Sequence, residues 1–284
     1  MTEWRGKPVA DALTEDLTAR IGRLKENGRV PKLVMMRVGE RAEDLAYERG
    51  IRKRFAAAGA EAEVLAFPED VRAEELERTV LRLNGDPDVH GVLLYRPLPD
   101  RLRKEEDRLA DLLAPEKDVD GMTAENALHV YYGDGKGFAP CTPQAVLEML
   151  DFYGYDVRGK NVAVIGRSRV VGRPLAMLLL ARHATVTVCH TKTQDLERVC
   201  READVIVACA GSPRMIGEKH VTPETVLLDV GINEDGDGIC GDADYEGIRG
   251  IAAVATPVPG GVGSVTTSVL LKHVVESAER LPEG

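Results

Sequence analysis

A glycine-rich turn joins an apolar stretch to a helical pattern in NVAVIGRSRVVGRP, residues 161–174. Gly166 permits a sharp turn, and Gly172 lets the following helix pack close to the strand. Such a turn leaves backbone N–H groups without helical partners, and together with the helix dipole they bind a diphosphate. Ser168 replaces the second glycine of G-x-G-x-x-G and adds a hydroxyl donor. An ordinary turn without a ligand could use the same glycines, but its place at the start of a βαβαβ pattern favours a dinucleotide site.

The end of the next strand indicates which dinucleotide binds. NAD sites place an acidic residue there, about 20 residues after the glycine turn, to hold the ribose 2′-hydroxyl. Here the segment TVCHTKT carries no acid and offers His190, Thr191 and Lys192 instead. Arg167 and two further arginines lie in the turn, and cations without a carboxylate suit the 2′-phosphate of NADP. Solvated arginines would give the same pattern, so NADP is the preferred cofactor and NAD the alternative.

The elements that position these residues alternate between strand and helix. Short apolar runs such as KLVMMRVG, AEVLAF, NVAVIG, TVTVCH and DVIVACAG predict buried strands, and TVLLDVGI and GIAAVATP predict further ones. Helical spacing separates them, for example from Glu43 to Ala58 and in RAEELERTVLRLNG. This alternation predicts an α/β protein with mostly parallel sheets covered by helices.

The pattern loosens in MTAENALHVYYGDGKGFAPCTP, which we interpret as a loop at a domain boundary. We therefore predict a substrate domain over residues 1–138 and a Rossmann-type dinucleotide-binding domain over 139–265. The final helix, about 266–284, is expected to return to the first domain and complete it.

Composition narrows the class of protein. The 284 residues are 44% hydrophobic and 30% charged, with a net charge of −10, which indicates a soluble globular protein and argues against nucleic-acid binding. No stretch approaches 18 uninterrupted apolar residues and no signal-peptide core is present, so we expect a cytoplasmic protein without a membrane partner. The five cysteines read as reduced core residues, and no cluster has metal-ligand spacing.

Further segments carry a family resemblance: KDVDG at 117–121, PCTP at 140–143 and TPVPGGVGSVT at 256–266. Together with VIGRSRVVGRP, they resemble the methylenetetrahydrofolate dehydrogenase/cyclohydrolase family over essentially the whole chain. The resemblance implies oxidation of 5,10-methylenetetrahydrofolate to the 5,10-methenyl cation with NAD(P), followed in most members by hydrolysis to 10-formyltetrahydrofolate. It also implies two α/β domains with the active site in the cleft between them, and a homodimer.

The resemblance also implies roles for individual residues. Tyr47 would stack on the folate rings, and Asp120 would accept hydrogen bonds from the pterin edge, while Asp118 could be structural. Near the substrate the resemblance places Gly260, Gly261 and Thr266. Near the cofactor it places Ala210, Gly211, Ile232 and, as a weaker candidate that helix capping alone would explain, Thr142.

Two substitutions depart from the family pattern. The family usually reads Y-x-x-x-K, with the lysine serving hydrolysis, but Ile51 stands at the lysine position after Tyr47. The usual glutamine of GVLVQLPLP is Tyr95 here, and Ser264 replaces a proline. At about 100° per helical residue, Lys53 points away from the face of Tyr47, so it does not replace the missing amine.

These substitutions affect the two half-reactions differently. Hydride transfer needs close positioning but no general base, whereas hydrolysis needs a group that moves protons. Ile51 cannot do this, and Tyr95, with an ordinary pKa of about 10, is a poor base. We therefore expect a dehydrogenase that uses Tyr47, Tyr95 and Asp120, with cyclohydrolase activity absent or very weak. The alternatives are a bifunctional enzyme with a water network around Tyr95, and a non-catalytic folate- or nucleotide-binding homologue.

Overall fold

A computed structural model of the chain describes residues 1–236 and 238–280. The chain divides into two compact units. One, here called the three-stranded unit, comprises Ala12–Val130, Asp134–Cys141 and the chain from Thr267 onward. The other, the six-stranded unit, comprises Met1–Asp11, Tyr131–Gly133 and Thr142–Thr266.

The three-stranded unit is built on a parallel sheet with strand order β3-β2-β4. Strand β2 (Lys32–Val38) pairs along its full length with β3 (Glu61–Phe67), and on its other side with β4 (Gly91–Leu94). Residues 33–38 of β2 are all buried, which explains its nearly continuous apolar sequence. The helices with residues in this unit are α1 (Gly6–Glu26), α2 (Ala42–Ala58), α3 (Ala73–Asn84), α4 (Glu106–Ala110), α5 (Ala124–Tyr132) and α9 (Thr266–Arg280).

Helix α2 is the crossover between β2 and β3, and it carries Tyr47, which was predicted to stack on the folate, and Ile51. It ends at Gly59, whose φ of 84° is left-handed and whose N–H bonds to the carbonyl of Ala56. Its buried positions include Ile51 and Phe55, both with no exposed surface. A helix fixed along this face holds Tyr47, one turn before Ile51, in a constant orientation.

The six-stranded unit is a parallel sheet with strand order β1-β11-β8-β7-β5-β6. Central strands β7 and β8 and residues 162–165 of β5 are buried, whereas in the edge strand β6 only Cys189 is buried. Strands β9 and β10 form a separate antiparallel pair. The bounds are β1 (Thr2–Glu3), α6 (Cys141–Phe152), β5 (Asn161–Ile165), α7 (Gly172–Ala181), β6 (Thr185–Cys189), α8 (Leu196–Arg201), β7 (Val205–Ala208), β8 (Val226–Asp229), β9 (Asn233–Glu234), β10 (Ile239–Cys240) and β11 (Val254–Ala255).

The predicted α/β class with two parallel sheets is confirmed, and three local details differ from expectation. The segment interpreted as a boundary loop contains α5. The strand predicted in GIAAVATP is only two residues long, Val254–Ala255. The first residues group with the six-stranded unit, because β1 pairs with β11. The last four residues of the helix predicted over 266–284 lie outside the described residues.

Two further observations concern the cysteines and the helices. All five cysteines are free, and all but Cys209 are buried. Among the described residues, no helix is both long enough and apolar enough to cross a membrane.

Candidate active site

Tyr47 and Tyr95 lie against each other in the three-stranded unit, as their predicted common role requires. Their ring centroids are 6.1 Å apart and their planes meet at 79°. Tyr47 is partly exposed on α2, whereas Tyr95, directly after β4, is buried. Ile51, one turn after Tyr47, is fully buried. The two rings therefore form an edge-to-face pair, and the side chain at the position of the usual lysine is fully buried.

The hydroxyl of Tyr95 has a poor hydrogen-bond acceptor. It donates to the thioether sulfur of Met35 at 3.5 Å, and a thioether is a weak acceptor. Burial, and then the negative charges of Glu48 and Asp44, raise the pKa of Tyr95 well above its usual value. Tyr95 therefore stays protonated at neutral pH and acts as a neutral hydrogen-bonding group.

Two charged pairs that were not identified from the sequence lie on the inner face of α2. Arg37, in the middle of β2, donates to Glu48 at 3.0 Å and also to the carbonyl of Gly39. The side chains of Arg37 and Glu48 are only 8% and 13% exposed. One turn earlier, Asp44 is held by Arg41 through two hydrogen bonds of 2.8 and 2.7 Å. The sequence does contain a signal for these carboxylates, because they interrupt the otherwise apolar face of α2 that includes Ile51.

Asp120 and Asp118 have different surroundings, although both belong to KDVDG. Asp118 is buried and accepts hydrogen bonds from the N–H of Thr123 at 2.7 Å and the amide of Asn126 at 2.8 Å. Asp120 is less enclosed and accepts the N–H of Cys141 at 3.3 Å. Burial raises the pKa of Asp120, with smaller opposing effects from Cys141. Its carboxylate has capacity left to accept hydrogen bonds from a ligand.

The glycine turn of the six-stranded unit has the backbone conformation that the phosphate-loop prediction requires. Gly166 has a φ of 133°, which side-chain-bearing residues rarely adopt, and a Cβ there would clash with the carbonyl of Cys209. A Cβ on Gly172 would clash with the carbonyl of Gly166. The Ser168 hydroxyl accepts the N–H groups of Val171 at 3.1 Å and Gly172 at 3.4 Å, and its hydrogen remains able to donate.

The segment after β6 forms a compact turn beside this loop. The N–H of His190 donates to the hydroxyl of Thr193 at 2.8 Å, and the ring of His190 accepts the N–H of Lys192 at 3.1 Å. The side chains of Thr191 and Lys192 are exposed, as are those of Arg167 and Arg173 in the glycine turn. Strands β5 and β6 are parallel neighbours, so the loops that follow them lie side by side at the carboxyl end of the sheet. The sequence predicts that the ribose 2′ position binds there.

The loop after β7 is fixed by a carboxylate that the sequence did not reveal. Asp242 is fully buried and accepts the N–H groups of Ala210, Gly211 and Ser212 at 2.5, 3.0 and 2.9 Å. The N–H groups of Ala210 and Gly211 are therefore already used, and their predicted contact with a cofactor would have to come from their carbonyls and their small size. Asp229 in turn holds Asp242, because its carboxylate accepts the N–H of Asp242 at 3.0 Å.

Asp229 gives this unit a distinctive dependence on pH. Burial raises its pKa from 3.8 to about 6. The protonated form is thus favoured by folding, and its contribution to the unfolding free energy is present at low pH and lost as the pH rises from about 4 to about 6. Two pKa units correspond to about 3 kcal/mol.

We expect Asp229→Asn to be less stable throughout, since its amide would face the N–H of Ala243, which bonds to the Asp229 carboxylate at 2.8 Å. Its unfolding free energy should nevertheless decrease less than that of the wild type between pH 4 and pH 6. Urea unfolding at several pH values measures both slopes, and equal slopes would contradict this assignment.

The residues predicted near the substrate in PVPGGVGSVT lie in the last segment of the six-stranded unit, which ends at Thr266. Gly260 has a φ of 104°, and the N–H of Gly6 donates to its carbonyl at 2.9 Å. A Cβ on Gly261 would clash with the carbonyl of Pro257. Thr266 begins α9 and donates to the carbonyl of Gly263 at 3.0 Å.

Ile232 and Thr142 complete the set of predicted residues. Ile232 is 68% exposed, so its side chain is accessible to a ligand. Thr142 lies in the first turn of α6. Over residues 1–236 and 238–280, no group of three or more His, Cys, Asp and Glu side chains has the arrangement of a metal site.

Two family models match the chain. Residues 4–120 match the catalytic domain of tetrahydrofolate dehydrogenase/cyclohydrolase, and residues 140–281 match its NAD(P)-binding domain. The bifunctional protein FolD of Carboxydothermus hydrogenoformans is 47% identical over 279 residues, covering 97% of this chain and 96% of the relative.

Solved structures give the same result. The bifunctional FolD methylenetetrahydrofolate dehydrogenase/cyclohydrolase of Campylobacter jejuni superposes with a TM-score of 0.95 at 37% identity, covering 98% of this chain and 99% of the other. The Trypanosoma brucei methylenetetrahydrofolate dehydrogenase-cyclohydrolase, complexed with NADP and an inhibitor, gives 0.92 at 33% identity, covering 99% and 98%.

Proposed function

The chain belongs to the tetrahydrofolate dehydrogenase/cyclohydrolase family, and we propose that it catalyses both reactions of that name. It would oxidise 5,10-methylenetetrahydrofolate to the 5,10-methenyl cation with NADP, and then hydrolyse the cation to 10-formyltetrahydrofolate. The observation that carries the oxidative step is the loop from Gly166 to Gly172, whose two glycines admit no side chain. Tyr47 and Asp120 support the assignment of the folate side.

The expectation that cyclohydrolase activity is absent or very weak was wrong. Relatives 47% and 48% identical over almost the whole chain are bifunctional FolD proteins, and so is the Campylobacter jejuni structure. The expectation rested on Ile51 and Tyr95 alone. It assumed that no other side chain could move the proton, and this assumption ignored Glu48, which forms a largely buried ion pair with Arg37.

The oxidative step needs positioning more than acid–base chemistry. NADP, when bound, supplies the hydride acceptor, and the methylene carbon loses a hydride without losing a proton. In our proposal, Tyr47 stacks on the folate and Asp120 binds the pterin edge, so that the reacting carbon is held in place. Ile232 covers the nicotinamide side, where its exposed apolar surface excludes water.

We prefer NADP to NAD because the end of β6 carries no acidic residue. Thr191 and Lys192 are exposed there, close in sequence to His190. A 2′-phosphate can accept hydrogen bonds from hydroxyl, amide and ammonium groups, and Lys192 compensates its charge. The NADP complex of the Trypanosoma brucei relative supports this preference.

Introducing an acid at this position should reverse the preference. We expect Thr191→Asp to shift the ratio of kcat/KM values by about 10- to 100-fold from NADP toward NAD, because a carboxylate repels the 2′-phosphate and accepts from a free 2′-hydroxyl. Thr187→Asp, also exposed but within β6, is the matched control and should leave the ratio unchanged. Initial rates with both cofactors measure the shift, and an unchanged ratio in Thr191→Asp would place the ribose elsewhere.

The proposal extends to location and assembly. We propose a cytoplasmic homodimer that acts on a tetrahydrofolate derivative, with neither nucleic acid nor membrane as partner. The net charge of −10 agrees with the absence of a nucleic-acid partner. Size-exclusion chromatography with light scattering tests the dimer, which should have twice the chain mass of 30.9 kDa.

Cofactor reduction tests the oxidative activity directly. Purified protein mixed with 5,10-methylenetetrahydrofolate and NADP should form NADPH at a rate proportional to enzyme concentration. Omitting either substrate should abolish the signal. Binding of NADP without any reduction would instead support a non-catalytic homologue.

A further inference from the structure

We infer that Glu48 takes up and returns the proton in the hydrolytic half-reaction, in place of the lysine that this family usually has at the position of Ile51. The inference rests on the proposed cyclohydrolase activity. It identifies a carboxylate, supported by Arg37 and next to Tyr95, as the acid–base group of this chain.

The position of Glu48 follows from the geometry of α2. Residues 44, 48, 51 and 55 are spaced four, three and four apart, so their side chains share one face of the helix. Ile51 and Phe55 on this face are fully buried. Glu48 therefore lies less than one turn before the position of the usual lysine, and directly after Tyr47 in sequence.

The charge of Glu48 is retained by Arg37. The Nε of Arg37 donates to Oε2 of Glu48 at 3.0 Å, and the same guanidinium also donates to the carbonyl of Gly39. A buried carboxylate without a cation would be costly, and this pairing compensates the cost. Arg37 bonds to Oε2 of Glu48, so the lone pairs of Oε1 can accept a hydrogen bond from a water molecule.

Contacts of Tyr95 link the Arg37–Glu48 pair to Tyr47, the residue proposed to stack on the folate. Met35 and Arg37 project from the same face of β2, because they are two residues apart in a strand. Met35 accepts the hydroxyl of Tyr95, and Arg37 holds Glu48. The ring of Tyr95 contacts Tyr47, the proposed stacking residue. The carboxylate, the hydroxyl and the ring of Tyr47 thus belong to one local cluster.

Other groups near this face are less suited to the task. Both carboxylate oxygens of Asp44 accept hydrogen bonds from its own partner, Arg41. The pKa of Tyr95 is raised well above its usual value by burial, so it cannot accept the proton of an attacking water at neutral pH. Arg54 donates to Thr14 at 3.0 Å and, as a guanidinium, stays protonated.

A cavity adjoins Arg37, the cationic member of the ion pair. This cavity of about 430 Å³ lies at the carboxyl ends of β2 and β3 and is lined by Arg37, Gly39, Phe67 and Pro68, among others. Glu48 bonds to Arg37 and so lies one residue from this solvent-accessible space, whereas the side chain of Ile51 is fully buried.

The proposed step balances as follows. The oxygen of a water molecule bonds to the methenyl carbon, one water O–H bond breaks, and its proton goes to Glu48, which gives a neutral carbinol. The bond between this carbon and N5 then breaks, and its electron pair stays on N5, which takes the proton back from Glu48. The carbinol hydroxyl proton leaves to solvent as the formyl C=O forms, so one proton is released overall.

Glu48→Gln tests the inference, because glutamine keeps the shape but cannot take up a proton. The measured quantity is the ratio of methenyltetrahydrofolate hydrolysis to NADPH formation in the same preparation. We expect this ratio to fall at least about 100-fold through kcat rather than KM, as removal of an acid–base group does. Glu48→Asp should recover part of the loss. Glu43→Gln, which changes an exposed carboxylate of the same helix, is the control and should change the ratio less than threefold.

The outcomes separate the inference from the proposed function. If the wild type hydrolyses the cation no faster than buffer, the cyclohydrolase proposal fails, and the inference with it. If the wild type hydrolyses but Glu48→Gln keeps the ratio within threefold, only the inference is overturned. If Glu48→Gln does not fold because Arg37 is left unpaired, the double variant Arg37→Gln/Glu48→Gln removes both charges, and its ratio decides by the same thresholds.

Discussion

Gly172→Ala is expected to lower kcat/KM for NADP by about 100-fold. The new Cβ would clash with the carbonyl of Gly166 and would lie 2.9 Å from the backbone nitrogen of Arg167. Both neighbours are backbone atoms of the loop proposed to bind the diphosphate, so no flexible side chain can move aside. The loop itself must shift, and misplacement by about 1 Å typically costs about 100-fold in rate.

Gly217→Ala provides the matched control for this experiment. Gly217 is also in the six-stranded unit and has a φ of −116°, and a Cβ there would meet no atom within 4 Å. It should therefore keep the wild-type kcat/KM. Initial rates at varied NADP and a thermal melt should be recorded for both variants. A kcat/KM within threefold of the wild type in Gly172→Ala would remove this loop from the cofactor site.

Asp120→Asn should reduce kcat/KM for the folate substrate by about 100- to 10,000-fold in both half-reactions, with little change in the KM for NADP. The carboxylate is proposed to accept two hydrogen bonds from the pterin edge, and each charge-assisted bond contributes about 1.5–3 kcal/mol. An asparagine offers one acceptor, and its NH2 would face pterin donors. Steady-state rates at varied folate measure the loss.

The pH dependence of substrate binding provides a second signature of Asp120. Burial raises its pKa, so the carboxyl becomes protonated at a higher pH than an ordinary aspartate does. Only the ionised form accepts both bonds, so KM for the folate should increase as the pH falls. This increase should begin at a higher pH than an ordinary aspartate would give, because the pKa of Asp120 is raised. Asp118→Asn should instead lower the melting temperature without this effect, since Asp118 bonds to Thr123 and Asn126. The reverse pattern would exchange their roles.

Much of the fold could be predicted from the sequence because its signals are local. Buried parallel strands such as KLVMMRV and NVAVI read as short apolar runs, and Gly59 marks the end of α2. The two-residue strand β1 carries no such signal, because it pairs with β11, which lies more than 250 residues later in the sequence. The same reason explains why the sequence placed the first residues with the other unit.

The candidate site was predictable where a backbone requirement fixes the residue type. Gly166 and Gly172 are such positions, since a Cβ at either would clash with backbone. Asp242 was not predictable, because it acts across about 30 residues on the N–H groups of Ala210 to Ser212. The largest error concerned Ile51, because the absence of one side chain was interpreted as the absence of a function. Glu48 lies three residues before Ile51 in α2, and Arg37 lies in the preceding strand β2.

The most direct test of the bifunctional assignment is the decay of methenyltetrahydrofolate in the presence of the wild-type protein without cofactor. The absorbance of the cation should fall at a rate proportional to enzyme concentration and well above the rate in buffer, with 10-formyltetrahydrofolate as the product. Decay at the buffer rate, from a preparation that still forms NADPH from the methylene substrate, would contradict the assignment.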